Sequence, residues 1–309
     1  MKAIIMDRHG GLDVLRYGDM PDPVADAGEV VVDIHAASIN AADVKVREGS
    51  SSVTVPKFPH ILGRDFSGVV ASLGAGVTDF AVGDAVFGVL AARREGTYAE
   101  KVAERAAILC RKPGNLSHVE AAALALTGLT ALISIEDTIR LRRGETILIQ
   151  GGAGGVAGYA IQLAKHIGAR VITTASAENH AYVRSLGADQ VIDYKKDDFT
   201  KIVKDVDAVF ETVGGEVTTR SFAVVKSGGR MASIGSGHTA PPSPRADVQS
   251  LRPAVGRDRP HLERIVHLHA TGAVRVPETR VFPLREAVAA QRISEGRHLR
   301  GKLVLTMSP

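Results

Sequence analysis

The sequence predicts an α/β protein: a β-rich first part followed by a doubly wound parallel sheet. Three observations carry this. Up to about residue 118, short apolar runs alternate with turns rich in Gly, Pro and Asp. From Thr146 onward, strand-length apolar runs alternate with helical patterning, the signature of parallel sheets with crossover helices. Between the first two of those runs stands Gly152-Ala153-Gly154-Gly155-Val156-Ala157, a G-x-G-x-x-A spacing.

The elements follow in order. The start MKAIIMDRHG reads as a short strand followed by polar residues. Val30–His35 is apolar after the turn PDPVADAGE, and Phe66–Leu73 is a strand broken at Gly74-Ala75-Gly76. Gly83-Asp84 turns into Ala85–Val89, and Gly96–Val102 begins another strand, giving a compact barrel-like part that closes at Pro113-Gly114-Asn115. Ser117 with Glu120 makes a capping box for a helix through Ala125, and Thr130–Ile139 reads as a second helix. Then come strand 146–150, helix 154–168, strand 170–174, helix 178–186, strand 190–193, and strands Ala208–Thr212 and Arg230–Ile234. Gly214-Gly215, Gly228-Gly229 and Gly235 punctuate this region, at strand ends where ligands bind in such sheets. Residues 236–260 are loop-like apart from a strand at Val248–Ala254. His261–Thr271 is helical, and Arg280–Phe282 and Leu303–Thr306 are strands around a helix at Leu284–Glu295.

The glycine segment carries the chemistry. In a strand–turn–helix context, Gly152 permits the tight turn, Gly154 lets backbone approach a pyrophosphate, and a small residue at 157 lets helix and strand pack closely. The N-terminal N–H groups of the new helix, with the positive end of its dipole, face that anion. No Gly-Lys-Ser/Thr follows, which excludes a Walker loop. NAD enzymes place an acid near the end of the second strand for the ribose 2′-OH. Here that strand ends Thr173-Thr174-Ala175-Ser176, without an acid at its tip and with Glu178 slightly late. Thr174 and Ser176 leave room for a 2′-phosphate and can donate to it, so NADPH is expected in preference to NADH.

The chain has 309 residues, enough for two domains. With 45% hydrophobic and 23% charged residues and a net charge of +4, a solvated surface is the default reading. The absence of Trp means a core of Val, Ile, Leu and Ala. Arg292, Arg297, Arg300 and Lys302 cluster near the end and could steer an anionic cofactor. There is no basic arm interleaved with aromatics, so nucleic acid is not an expected partner. Cys110 is the single cysteine, which excludes an intramolecular disulfide and a cysteine-rich zinc site. No signal peptide and no apolar run of some 18 residues is read, and a cytoplasmic enzyme is expected.

The ordered motifs identify a resemblance. SINAADVKVREG (38–49), LGRDFSGVVASLGAGVTDFAVGDAVFG (62–88), GTYAEKV (96–102), AAALALTGLTAL (121–132), the glycine segment, LGADQVIDY (186–194), DAVFETVGG (207–215), GGRMASIG (228–235), FPLREAVAAQ (282–291) and GKLVL (301–305) are similar to the zinc-independent quinone oxidoreductase (zeta-crystallin-like) branch of the medium-chain dehydrogenase/reductase superfamily. The resemblance covers nearly the whole length. It implies a GroES-like substrate domain over 1–118, completed by 265–309, and a Rossmann domain over 119–264, with the active site in the cleft. It also implies a homodimer joined by edge pairing of the Rossmann sheets, with Val248–Ala254 as the edge strand.

The same resemblance implies site residues. Where zinc alcohol dehydrogenases of this superfamily carry Cys and Gly-His-Glu, this chain reads Asn40-Ala41-Ala42-Asp43 and Gly63-Arg64-Asp65. The four-cysteine lobe is missing, and no zinc is expected. Without a Lewis acid, reduction of an electron-poor quinone or α,β-unsaturated carbonyl needs less help than alcohol oxidation. Asn40 corresponds to the asparagine beside nicotinamide and substrate, with a turn-forming Asn before a helix as the other reading. Lys45 stands where some quinone reductases have a cleft tyrosine, or is a surface lysine. Thr130 corresponds to the threonine near the nicotinamide amide. Gly152, Gly154, Gly155 and Val156 correspond to the pyrophosphate turn, and Tyr194 to a position by the adenosine 2′-phosphate. Ile234, Gly235 and Ser236 correspond to the loop along ribose and nicotinamide, and Ser250 to Arg252, with Leu251 at their centre, to the nicotinamide end. Asn179 departs from the Lys common in NADPH-dependent members. The expected activity is NADPH-dependent quinone reduction, with enone or 2-alkenal reduction as the alternative and a non-catalytic NADPH- or RNA-binding, crystallin-like role as a reading of another class.

Overall fold

A computed structural model describes residues 1–51, 54, 56–235 and 237–307. The chain forms two compact units: residues 1–126 with 257–266 and 277–309, and residues 127–256 with 267–276. The elements of the first part are β1 (Lys2–Met6), β2 (Leu15–Asp19), β3 (Glu29–Ser38), α1 (Ala41–Arg47), β4 (His60–Ile61), β5 (Asp65–Leu73), β6 (Ala85–Val89), β7 (Lys101–Arg105) and β8 (Cys110–Arg111). Helix α2 (His118–Leu132) follows. Next come β9 (Thr146–Ile149), α3 (Gly155–Ile167), β10 (Arg170–Ala175), α4 (His180–Ser185), β11 (Gln190–Asp193), α5 (Phe199–Ile202), β12 (Val206–Glu211), α6 (Glu216–Ser221), β13 (Val225–Ser233) and β14 (Gln249–Leu251). The chain ends with α7 (Arg259–Ala270), β15 (Thr279–Pro283), α8 (Ala287–Glu295) and β16 (Lys302–Thr306).

The first unit holds a three-stranded sheet, β2-β1-β4, and a larger one ordered β15-β16-β3-β5-β6-β8, with β7 also paired to β3. The tail belongs to this unit because β16 pairs antiparallel with β3, Val304 opposite Ser38. Residues Val32, Phe66, Val86, Tyr98 and Leu305 are among its fully buried side chains. Small residues and short strands let the sheet bend: β3 carries irregularities at Val31/Val32 and Ile34/Ala36.

The second unit is a parallel sheet ordered β11-β10-β9-β12-β13-β14. In its own numbering this is 3-2-1-4-5-6, the doubly wound order that reverses direction beside the first strand. Strands β9 and β10 are almost wholly buried, as their unbroken runs of Ile, Leu, Val and Thr require in a sheet covered on both faces. β14 is the edge strand, hydrogen-bonded only to β13 among the described strands.

Some elements differ from the sequence reading. The Ser117–Glu120 box is present, Ser117 N–H donating to Glu120 Oε2 at 2.8 Å and Glu120 N–H to Ser117 Oγ at 3.2 Å. The helix it starts does not stop, however. It runs unbroken through Leu132 into a π-helical stretch, Ile133–Ile139, ended by Arg140 at φ 53°. Gly128 lies within it, between the buried Thr127 and Leu129. This continuous 22-residue helix also has a window of mean hydropathy 1.6, so an apolar run long enough for a membrane span does exist. That window is 72% buried inside the protein, which makes it a core helix. The strand expected from Gly96 begins only at Lys101, because Gly96 and Thr97 N–H groups bond Gly63 O and Tyr98 N–H bonds Leu62 O as a loop. The expected strand 248–254 shortens to Gln249–Leu251.

Candidate active site

In the second unit a glycine turn joins β9 to α3 as the spacing predicts, but the left-handed turn residue is Gly151, at φ 71°, and Gly152 is required by packing instead. Gly152 N–H bonds Thr174 O at 2.9 Å, and a Cβ at Gly152 would lie 2.2 Å from Thr173 Oγ1 and 3.1 Å from Ile161 Cδ1. Close packing of β10 and α3 therefore demands this glycine. Gly154 is different. It caps α3 at φ −71°, ψ 156°, and a Cβ there would meet nothing nearer than Gly151 O at 3.4 Å. The protein's own atoms leave that side open. Gly155 and Val156 are the first residues of α3, so their N–H groups have no intrahelical acceptor and point out of the turn.

Thr174 has a role other than the expected one. Its hydroxyl, 3% exposed, accepts from Gly151 N–H at 3.0 Å and donates to Gln150 Oε1 at 2.7 Å. Both of these links are internal, so Thr174 fixes the turn and has no free donor for a phosphate. Ser176 is buried and accepts from Asn179 Nδ2 at 3.1 Å. Glu178 pairs with Lys195 at 3.3 Å. Its carboxyl falls to about 2, through a backbone hydrogen bond first, then bonds to Ser176 and Lys195. Tyr194, next to Lys195, is half exposed. Lys195 is a cation that pattern reading did not single out; it follows the carboxyl end of β11, which pairs with β10 at Ala175–Asp193.

At the carboxyl ends of β12 and β13, Glu211 organises the loops. Fully buried, it accepts from Val213 N at 2.5 Å, Gly214 N at 2.7 Å, Thr218 Oγ1 at 2.8 Å and Ser233 Oγ at 2.8 Å. Ile234 N–H bonds Glu211 O at 3.0 Å. A Cβ at Gly235 would lie 2.5 Å from Gly214 N, so these two glycines let the strand-end loops touch. Ser236 lies outside the described residues. Leu251 pairs in register with Ala232 near the end of β13 and lines a groove with Ile139, Arg140, Glu145 and Arg230. Its neighbour Arg252 reaches Ser233 O at 2.7 Å. Thr130 is buried in the helix, its carbonyl accepting from Ser134 Oγ. One turn earlier, Thr127 Oγ1 is buried with no hydrogen-bond partner. An orphan hydroxyl of this kind points to a missing ligand. The open face at Gly154 and the first turn of α3 fit the pyrophosphate of a dinucleotide.

In the first unit, Asn40 sits in a saturated network. It caps α1 in a capping box with Asp43, its N–H bonding Asp43 Oδ2 at 2.8 Å. Its side-chain Nδ2 donates to Ser38 O and Asp65 Oδ2, both at 3.2 Å, while Oδ1 accepts from Lys302 Nζ at 2.8 Å. The amide is committed to the scaffold. Asp65 also accepts from Ser38 N at 2.9 Å and Ser38 Oγ at 2.7 Å. Tyr98 OH donates to Asp43 Oδ2 at 2.7 Å, and Arg64 pairs with Glu95 at 2.7 Å, which also meets His60 Nε2 at 2.8 Å. Burial raises Asp43 to about 6 against the pull of Arg64. Burial likewise drives Tyr98 up and Lys302 down. Lys45 is half buried, and its ammonium has no partner among the described residues. The sequence neighbours of Asn40 gave no hint of Lys302, which lies 262 residues away. No three His, Cys, Asp or Glu side chains among the described residues gather as a metal site.

A parallel sheet of this order, with its glycine turn after the first strand, defines a dinucleotide-binding protein. Residues 26–167 match the alcohol dehydrogenase GroES-like domain and residues 186–305 the family described as zinc-binding dehydrogenase. The chain is 32% identical over 320 residues to the chloroplastic NADPH-dependent alkenal/one oxidoreductase of Arabidopsis thaliana, spanning 100% of this chain and 80% of that protein. The quinone oxidoreductase structure from Coxiella burnetii is similar at TM-score 0.92 and 36% identity, over 100% of this chain and 99% of that one. That of Escherichia coli quinone oxidoreductase complexed with NADPH is similar at TM-score 0.91 and 28% identity, over 99% and 100%. The chain belongs to the quinone oxidoreductase branch of the medium-chain dehydrogenase/reductase superfamily.

Proposed function

We propose that the protein is an NADPH-dependent reductase of quinones or α,β-unsaturated carbonyls that works without zinc. The observation that carries this reading is the glycine turn. Its inner glycine is demanded by packing, and its outer one opens onto the first turn of α3 at the carboxyl edge of the sheet. Gly154, Gly155 and Val156 would hold the pyrophosphate, Thr127 and the Gly214–Gly235 loops the nicotinamide end, and Ser176, Tyr194 and Lys195 the 2′-phosphate. When bound, NADPH supplies the hydride. Thr174 fixes the turn through Gly151 N–H, and Glu211 holds the loops at the other end, so each acts by positioning.

The metal-free reading is supported by the residue types at the positions of the metal ligands. Asn40 and Arg64 are each spent on internal partners, and Arg64 is itself a cation. Reduction of an electron-poor acceptor then needs hydrogen-bond donors at the developing oxyanion. The Arabidopsis relative's activity on alkenals and alkenones supports the enone alternative beside the quinone one. We further propose a cytoplasmic homodimer; the free edge of β14 supports the dimer through continued sheet pairing.

The test is NADPH and NADH oxidation against 1,4-benzoquinone, 9,10-phenanthrenequinone, crotonaldehyde and 3-penten-2-one. Quinone turnover with NADPH supports the leading reading, and activity confined to the enal or enone selects alkene reduction. Absence of any NADPH fluorescence change on mixing refutes both. Loss of activity with a strong chelator refutes the metal-free reading.

A further inference from the structure

The first unit contains a guanidinium that its own surroundings leave without a counter-ion. Among the described residues, the one hydrogen bond of Arg257 runs from Nη1 to Leu90 O at 3.2 Å. Its Nε is shut off from solvent and has no acceptor. The acids that act on it electrostatically, Asp65 and Glu104, are committed elsewhere. Asp65 accepts from Ser38 and Asn40. Glu104 accepts from Ala91 N at 2.7 Å, Arg105 N at 2.7 Å and Arg94 Nη1 at 3.4 Å. The neighbouring cation Arg64 is neutralised by Glu95. Burial, then repulsion from Arg64, lowers Arg257 to about 10, so it is still charged at neutral pH.

A largely enclosed charge without an ion-pair partner is costly, and an arriving anion would relieve that cost. The planar fork of arginine matches a carboxylate through two parallel N–H···O bonds, which an ammonium cannot do. We propose that Arg257 receives a carboxylate carried by the substrate, so that the preferred acceptors are electron-poor carbonyl compounds bearing an acid group. The identity of the ligand as substrate rests on the reductase reading; the presence of an anion receptor does not.

Two acceptors that differ in one group test this. (E)-4-oxo-2-pentenoate has a carboxylate where 3-penten-2-one has a methyl. In each, a hydride adds to the carbon β to the ketone and a solvent proton to the α carbon, while NADPH becomes NADP⁺. For the wild type we expect kcat/KM to favour the acid by about 30-fold, chiefly through KM, the range of a charge-assisted contact. In R257L and R257Q the ratio is expected to fall to about 3 or below, with R257K between because it keeps the charge and loses the fork. A wild-type ratio near one, or equal losses on both acceptors in the variants, overturns the proposal.

A second arm needs no turnover. Calorimetric titration with 4-oxopentanoate, the reduction product, should show binding to wild type and at least about tenfold weaker binding to R257Q. Equal affinities overturn the proposal. If neither acceptor nor any quinone is reduced while 4-oxopentanoate still binds through Arg257, the reductase reading fails and the anion receptor stands. If R257Q weakens NADPH as much as it weakens the acid, the anion is a phosphate of the cofactor, and the substrate assignment is overturned.

Discussion

The substitution Gly154→Asp separates folding from cofactor binding, because the two effects have opposite signs. Position 154 is the N-cap of α3, in an extended conformation that any residue adopts, and a Cβ there has ordinary room beside Gly151 O at 3.4 Å. Aspartate is among the best N-cap residues and its charge suits the positive helix end, so the unliganded protein should gain about 0.5 kcal/mol. The same carboxylate would face the pyrophosphate. One charge pair at about 5 Å, in an effective dielectric near 20, repels by about 3 kcal/mol, which is more than 100-fold in Kd. Urea unfolding without ligand reads the first effect, and an NADPH fluorescence titration reads the second. A variant destabilised by more than about 1 kcal/mol would mean that packing demands Gly154. A variant that binds NADPH as wild type does would mean that the open face is not the pyrophosphate site.

Gly152→Ala should behave oppositely, losing about 1–3 kcal/mol of stability by urea unfolding, because its methyl would drive into Thr173 Oγ1, which donates to Ile149 O at 2.6 Å; wild-type stability would refute the close packing. Asn40→Ala should cost about 2–4 kcal/mol, since it removes the cap of α1 and strips partners from buried Lys302 and Asp65. If it folds with wild-type stability yet turns over slowly, the amide faces ligand and is not a scaffold group. His118 predicts a pH effect. Its Nδ1 meets Ser67 Oγ at 2.8 Å, it stacks on His35 at 4.3 Å, and burial, then His35 and Lys112, push it to about 4 from 6.5. The unfolded chain therefore binds more protons between those values, so stability is full above pH 6.5 and falls as pH drops towards 4. Discounted for partial solvent screening, the loss by pH 5 should be about 1 kcal/mol, and H118N should remove it. An equal slope in H118N, by thermal unfolding at pH 7.5 and 5, would refute the assignment.

Much of this was legible in residue order. The alternation of apolar runs predicts the parallel sheet, since a strand buried on both faces must be apolar throughout. The spacing of Gly152, Gly154 and Ala157 predicts the turn between strand and helix, and Gly152 answers a close contact within that unit. Residue types at 40–43 and 63–65 are enough to question a metal site, because ligation needs particular donor atoms. Helix continuity through Gly128 and the late start of β7 were less legible, because pairing of Gly96–Tyr98 with Gly63 and Leu62 lies outside any local window.

What the tertiary structure alone decided is which polar groups are spent. Asn40 and Thr174 each look available to a ligand in sequence. The hydroxyl of Thr174 is consumed by Gly151 and Gln150, and the amide of Asn40 by Lys302, Asp65 and Ser38. Conversely, Glu211 gathers four donors and, among the described residues, Arg257 has no hydrogen bond to an acid, and neither fact follows from its neighbours in the chain. Periodicity depends on the next few residues, so sequence carries it. Saturation of a hydrogen-bonding group depends on whatever the fold brings within about 3 Å, and here the decisive partners come from up to 262 residues away.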